Sequence, residues 1–148
     1  MNKRTIKVAL IGAIACVAVS CDKEELISTE NLPATANTFL NEYFADVKVL
    51  SVTREKEGTT TDYQVLLDNG IEVKFDKNGN WDEVEALTDT EAIPTSFIPD
   101  AVVTYVQENY ENAGINNIDK EKNGFDVELT NGLDLIFDTN GQFVRIDP

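Results

Sequence analysis

The chain contains one of its own stretches twice. Tyr63 to Trp81 reads YQVLLDNGIEVKFDKNGNW, and 62 residues later Phe125 to Phe143 reads FDVELTNGLDLIFDTNGQF. Eight of the nineteen positions are identical: Val65/Val127, Leu67/Leu129, Asn69/Asn131, Gly70/Gly132, Phe75/Phe137, Asp76/Asp138, Asn78/Asn140 and Gly79/Gly141. Five more differ only by Tyr/Phe, Ile/Leu, Glu/Asp, Val/Leu and Trp/Phe exchanges. A tandem duplication limits the choice of fold, because each copy must be one structural unit that can bury its apolar face beside its twin.

Within each copy the periodicity is that of strands. Tyr63, Val65 and Leu67 alternate with Gln64, Leu66 and Asp68, and Ile71, Val73 and Phe75 alternate with Glu72, Lys74 and Asp76. A period of two with one apolar face describes a half-buried antiparallel strand. Asn69-Gly70 between the runs predicts a hairpin with a type I′ turn. Asp76-Lys77-Asn78-Gly79 predicts a second, bulged turn, after which a strand starts at Trp81. The second copy repeats this through Asn131-Gly132, Asp138 to Gly141, and Phe143.

Helices precede the strands. Leu32 to Phe44 carries Ala36, Phe39, Leu40, Tyr43 and Phe44 at three- and four-residue spacing behind Pro33, and Ile98 to Tyr110 carries Val102, Tyr105, Val106 and Tyr110 behind Pro99. Proline suits a helix start, where its missing N–H leaves no bond unmade. Strands follow over Val47 to Thr53 and Ile115 to Glu121. The expected fold is α+β: a tandem repeat of one helix and a four-stranded antiparallel meander, with the helices on one face of the sheet or sheets. The first repeat spans 32–87 and the second 98–148, joined by a linker over 88–97. A longer loop over Glu55 to Thr61 accounts for helices 66 residues apart and hairpins 62 apart. Lys48 and Lys120 are placed to guard the strand edges that such sheets expose.

Residues 1–21 read as a processing segment. Lys3, Arg4 and Lys7 precede an apolar run, Val8 to Val19, too short to span a bilayer permanently. The run ends in Ala18-Val19-Ser20-Cys21, which resembles a lipobox. That resemblance implies lipidation of Cys21 and anchoring in a Gram-negative envelope. Asp22-Lys23-Glu24-Glu25 resembles a surface-export signal, pointing to the outer membrane and the cell surface. Residues 22–31 read as an unstructured tether.

Composition excludes much chemistry. The chain has no His and two Cys, so His-based acid/base pairs, His metal ligands and His-activated nucleophiles are absent. The formal net charge is −15. A surface of that sign repels phosphate backbones, which argues against nucleic acid as a partner. Asp76-x-Asn78-Gly79 and Asp138-x-Asn140-Gly141 look like the start of a calcium loop but lack its further acidic ligands, and turn chemistry accounts for them. No metal and no cofactor are expected.

The run Ile98-Pro99 to Tyr110, then Ile115, Phe125 to Leu129, Asn131 to Asp138 and Asn140-Gly141, resembles the PepSY-like repeat of bacterial periplasmic and surface lipoproteins, a group described as β-lactamase-inhibitor-like in fold. The resemblance covers roughly 32–147 and departs from the pattern at Lys74, Trp81 and the Thr-rich loop. It implies a helix-on-sheet repeat with a binding or inhibitory role, and it carries over no catalytic residue. The inhibitor analogy is one of fold, which does not fix function.

The candidate binding face is therefore the polar side of the hairpins: Gln64, Leu66, Glu72 and Lys74 in the first copy, and Asp126, Glu128, Asp134 and Ile136 in the second. Acids surround two apolar side chains there, a pattern that can mark an interface for a protein or peptide. Trp81 is a candidate anchor, although its counterpart Phe143 suits a core position. Assembly through sheet edges is the alternative. Hydrolysis by a carboxylate pair such as Glu128 and Asp134 would need a pocket to separate their pKa values.

Overall fold

A computed structural model describes residues 24–147. Cys21 and the rest of the processing segment lie outside those residues.

The elements run β1 (Glu25–Leu26), a 3-10 turn (Thr29–Asn31), α1 (Ala34–Tyr43), β2 (Val49–Glu57), β3 (Thr60–Leu67), β4 (Ile71–Phe75), β5 (Trp81–Ala86), α2 (Asp100–Asn109), β6 (Ile115–Glu121), β7 (Gly124–Leu129), β8 (Asp134–Asp138) and β9 (Phe143–Asp147). The class is α+β. All nine strands form one sheet in sequence order, and every neighbouring pair is antiparallel. The two copies meet where β5 pairs with β6 through Glu83 opposite Asp119, Val84 opposite Ile118 and Glu85 opposite Asn117.

One row of side chains crosses the whole sheet on its apolar face. Val52, Val65, Val73, Val84, Ile118, Val127 and Leu135 are successive cross-strand partners, and none is more than 2% exposed. Both helices cover this face. In α1, Ala36 and Leu40 are buried and Phe39 meets Phe75 edge-on at 5.7 Å; in α2, Val102 and Val106 are buried and Tyr105 meets Phe137 edge-on at 5.5 Å. Each helix is shorter than its apolar stripe. Pro33 and Pro99 sit one residue outside, with extended ψ, while Leu32, Phe44 and Ile98 are buried as flanking residues.

Three local expectations are corrected. The Asn-Gly turns are three-residue loops, not two-residue type I′ turns. Gly70 N donates to Leu67 O and Gly132 N to Leu129 O, and the glycines have φ of 77° and 81°. Leu66 stands opposite Glu72, so the odd-numbered loop leaves Leu67 and Ile71 on the same buried face; a two-residue loop would set Asp68 beside Ile71 instead. The Glu55 to Thr61 loop is also mostly strand. Glu57 stands opposite Thr60, and only Gly58-Thr59 turns, because the β-branched threonines extend the ladder. Last, the tether is structured from residue 25. Glu25 and Leu26 pair with Arg54 and Thr53, Ile27 N donates to Val52 O at 2.9 Å, and Leu32 is buried. The unpaired backbone at the β2 edge supplies the reason.

The edge-guard expectation also changes. With β5 paired to β6, Lys120 is central. Its ammonium lies 3.5 Å from the centre of the Trp81 ring and donates to Trp81 O at 3.0 Å. Lys48 precedes β2; its carbonyl accepts from Asp68 N, and its own N–H donates to the Asp68 carboxylate.

Candidate functional site

The face opposite the helices is the candidate site. Strand register lays its side chains out in two adjacent rows. The first begins Thr53, Gln64, Lys74, Glu83 and continues Asp119, Asp126, Ile136, Arg145. The second begins Ser51, Leu66, Glu72, Glu85 and continues Asn117, Glu128, Asp134, Asp147. Eight of the nine candidate residues fall in these rows: Gln64, Leu66, Glu72, Lys74, Asp126, Glu128, Asp134 and Ile136. The seam thus brings the candidates of both copies onto one surface.

Trp81 does not join them. A bulge between Lys74 and Phe75 sets Trp81 opposite Phe75 and leaves Asp82 without a cross-strand partner. The indole therefore turns to the helix side, 6.2 Å from the Phe39 ring and 5.4 Å from the Phe97 ring.

Four residues at the centre of the face come from strands whose facing depends on the seam: Glu83, Glu85, Asn117 and Asp119. Their signal was present as alternation, Glu83 and Glu85 around Val84, Asn117 and Asp119 around Ile118. Only the pairing of β5 with β6 puts these pairs side by side.

The electrostatics follow from crowding at low hydration. The rows carry eight carboxylates against two cations, Lys74 and Arg145. Lys74 Nζ reaches Glu83 Oε2 at 2.6 Å, and Arg145 pairs with Asp147 on its own strand. Asn117 is buried and donates to Glu83 Oε1 at 2.8 Å and Glu85 Oε2 at 3.4 Å, tying the two acids together. Burial, then the charges of Glu83, Glu121 and Asp126, push the Asp119 carboxyl up to about 6. Burial and the acids Asp134, Asp147 and Glu121 also raise Asp126; burial, with Glu85 and Glu83, raises Glu72 against a hydrogen bond from Gln64. Burial alone would lower Lys74, yet the bond and charge of Glu83, with Glu85 and Glu72, hold it raised. Each case is one of desolvation against neighbouring charge.

Beside the seam the face dips into an open depression of about 350 Å³, lined among others by Asp62, Gln64, Lys74, Asp82, Glu83 and Asp119. Glu128 and Asp134 face each other across β7 and β8 and are not part of its lining.

The Asp-x-Asn-Gly turns use their carboxylates internally. Asp76 Oδ1 accepts from Asn78 N at 2.8 Å and Asn80 N at 2.9 Å, and its Oδ2 accepts from the side chains of both. Asp138 Oδ1 accepts from Asn140 N and Gln142 N, each at 2.9 Å. Burial works against the Asp76 carboxylate, but these bonds hold its pKa below the usual range. Among the described residues, no group of three or more His, Cys, Asp or Glu side chains is arranged to hold a metal ion. No described helix is long and apolar enough to cross a membrane.

A family model described as "Putative beta-lactamase-inhibitor-like, PepSY-like" matches residues 17–70 and 61–145. A solved structure from Bacteroides thetaiotaomicron, described as "a putative calcium-regulated periplasmic protein", is 33% identical with a TM-score of 0.78, covering 84% of this chain and 97% of that one. Two from Bacteroides vulgatus are similar as well, both described as putative periplasmic proteins, the first of unknown function. They are 30% and 34% identical, with TM-scores of 0.76 and 0.78, and cover 86% and 87% of this chain and 99% and 100% of theirs. No curated protein matches the chain at a significant level.

Proposed function

The chain belongs to the PepSY-like, β-lactamase-inhibitor-like family, and we propose that it is an exported, non-enzymatic envelope protein that binds a protein or peptide through the acidic face of its sheet. One observation carries this reading: the pairing of β5 with β6 merges two modest polar patches into one. Four central strands there present carboxylates in register, with Leu66 on one side and Ile136 on the other. A partner offering Lys or Arg with some apolar surface complements such a face. Binding of this kind inhibits wherever it covers a partner's own site.

Export is supported by the periplasmic description of relatives at 30–34% identity. Anchoring through lipidated Cys21 extends the same reading and would place the acidic face at the outer membrane, periplasmic or surface-exposed. One relative's description includes calcium regulation. The reading assigns no metal here, because the turn oxygens of Asp76 and Asp138 already accept backbone N–H groups.

The test is capture of envelope proteins by the full chain in mild detergent, followed by binding measurements on the recovered partner. Leu66→Asp and Ile136→Asp should each weaken binding about tenfold or more, the loss of one well-buried interface contact. Raised salt should weaken it further. A partner held equally by both variants, and lost only when a sheet edge is altered, would reject the face in favour of edge assembly. Catalytic turnover that collapses on Glu128→Gln would reject the non-enzymatic reading.

A further inference from the structure

The two edges of the sheet are not alike. The β2 edge is covered at one end by β1, with Arg54 bonded to Glu25. Among the described residues, β9 has β8 on one side and no neighbouring strand on the other. Its exposed side chains include Val144 and Ile146, at 56% and 48%; its two charges, Arg145 and Asp147, are of opposite sign, and Pro148 follows it.

The duplication shows what such an edge accepts. β9 is the counterpart of β5, 62 residues on. Both carry the same bulge, at Asp82 and at Val144. Beyond the bulge, Glu83, Val84 and Glu85 correspond to Arg145, Ile146 and Asp147. In the first copy that edge is filled: Ile118 of β6 lies beside Val84, and Val84 is fully buried. The equivalent Ile146 has Leu135 on one side and, among the described residues, no strand partner on the other.

We propose that β9 pairs antiparallel with β9 of a second copy of this chain, in a two-fold register centred on Ile146. That register sets Ile146 beside its twin, on the apolar face of both sheets. It also sets Arg145 of each copy opposite Asp147 of the other, twice, on the polar face. The contact is self-complementary, as a two-fold interface must be, and cross-strand pairs of opposite charge favour it. Neighbouring registers are worse. Centring on Arg145 opposes two guanidinium groups, and centring on Val144 faces the bulge with itself. The substitution of Glu83 and Glu85 by Arg145 and Asp147 also makes this edge locally neutral, although the chain as a whole is strongly acidic. The result is one continuous sheet of eighteen strands across the pair. A strand edge this short gives a weak association, with a Kd on the order of 100 µM, because the interface lies below the standard size.

The experiment is sedimentation equilibrium of the full chain in mild detergent over a concentration series, with folding checked by circular dichroism. The mass should climb from one chain towards two. Arg145→Glu or Asp147→Arg alone should weaken the association at least tenfold, since each opposes like charges twice. The double swap Arg145→Glu with Asp147→Arg should restore it. Arg145 is exposed and Asp147 half-exposed at the end of the strand, so neither change should disturb the fold. A chain that stays monomeric at all concentrations, a dimer indifferent to the single swaps, or a double swap that does not recover would overturn the proposal. Leu66→Asp, which tests the acidic face, should leave this mass unchanged, so the two ideas fail separately.

Discussion

At the scale of single residues, Asp119 is the most perturbed group on the open face. Its carboxyl is held up to about 6 by burial and by Glu83, Glu121 and Asp126, and the unfolded chain has a normal aspartate. The folded state thus binds the proton more tightly. Below the unfolded pKa the group costs nothing, and its penalty grows as pH rises through about 6. Asp119→Asn should stabilise the protein at pH 7.5, by under about 1 kcal/mol given its partial exposure. The gain should vanish near pH 4, as followed by thermal melts across pH. A gain of equal size at both pH values would disprove the assignment. Lys120 is the converse case. Burial lowers it, with Asp82 and Asp76 opposing, and its ammonium caps the Trp81 ring and carbonyl. Lys120→Met keeps the aliphatic stem but leaves the Trp81 carbonyl without this donor. It should cost about 1–2 kcal/mol and alter the emission of the single Trp, measured by urea denaturation.

At the scale of elements, the turns between β4 and β5 and between β8 and β9 serve as seats for the helix starts. Gly79 has φ of 84°, and a Cβ there would lie 2.7 Å from Pro33 Cβ and 2.8 Å from Ala36 N; at Gly141 the nearest atom is Ala101 Cβ at 3.1 Å. Gly70 has φ of 77° with nothing within 4 Å. Gly70→Ala should therefore cost about 1 kcal/mol, the conformational penalty alone. Gly79→Ala should cost roughly 2–4 kcal/mol, because helix α1 must also move. Equal costs in chemical denaturation would show that the helix is not seated there. Repeat, strand periodicity and helix stripes were all legible in the sequence because they are local. Two features were not. A third, the loop length, was present: the Asn-Gly dipeptide suggests two turn residues, but the alternation that buries both Leu67 and Ile71 requires three. Trp81 alternates in phase with the polar side until a bulge at Asp82 reverses it. The tether contained no periodicity, and only the vacant β2 edge gives Glu25 and Leu26 a structure.

At the scale of the molecule, the seam makes two repeats one object. The register between β5 and β6 depends on residues over thirty positions apart, so the joining of the sheets, and with it the side-by-side placing of Glu83, Glu85, Asn117 and Asp119, lay beyond any local pattern. The same seam couples stability. Val84 and Ile118 are both fully buried at the junction, and unfolding one repeat would expose the apolar row of the other. Thermal unfolding should show a single transition, with calorimetric and van't Hoff enthalpies in agreement. Ile118→Ala should lower the whole transition by about 2–5 kcal/mol and should not split it in two. Separate melting of the repeats would show that the junction contributes little.

The two polar rows have a further consequence. Neighbouring strands lie about 4.8 Å apart and alternate residues about 6.8 Å apart along a strand, so the carboxylates sit on a lattice fixed by main-chain bonds. Such a surface works as a ruler: it can shift its protonation but not its spacing. A ligand whose cations repeat at those intervals would engage several acids at once, while one of equal charge and different pitch would engage them singly. Selectivity for pitch over total charge is the signature by which this plate would choose what it holds.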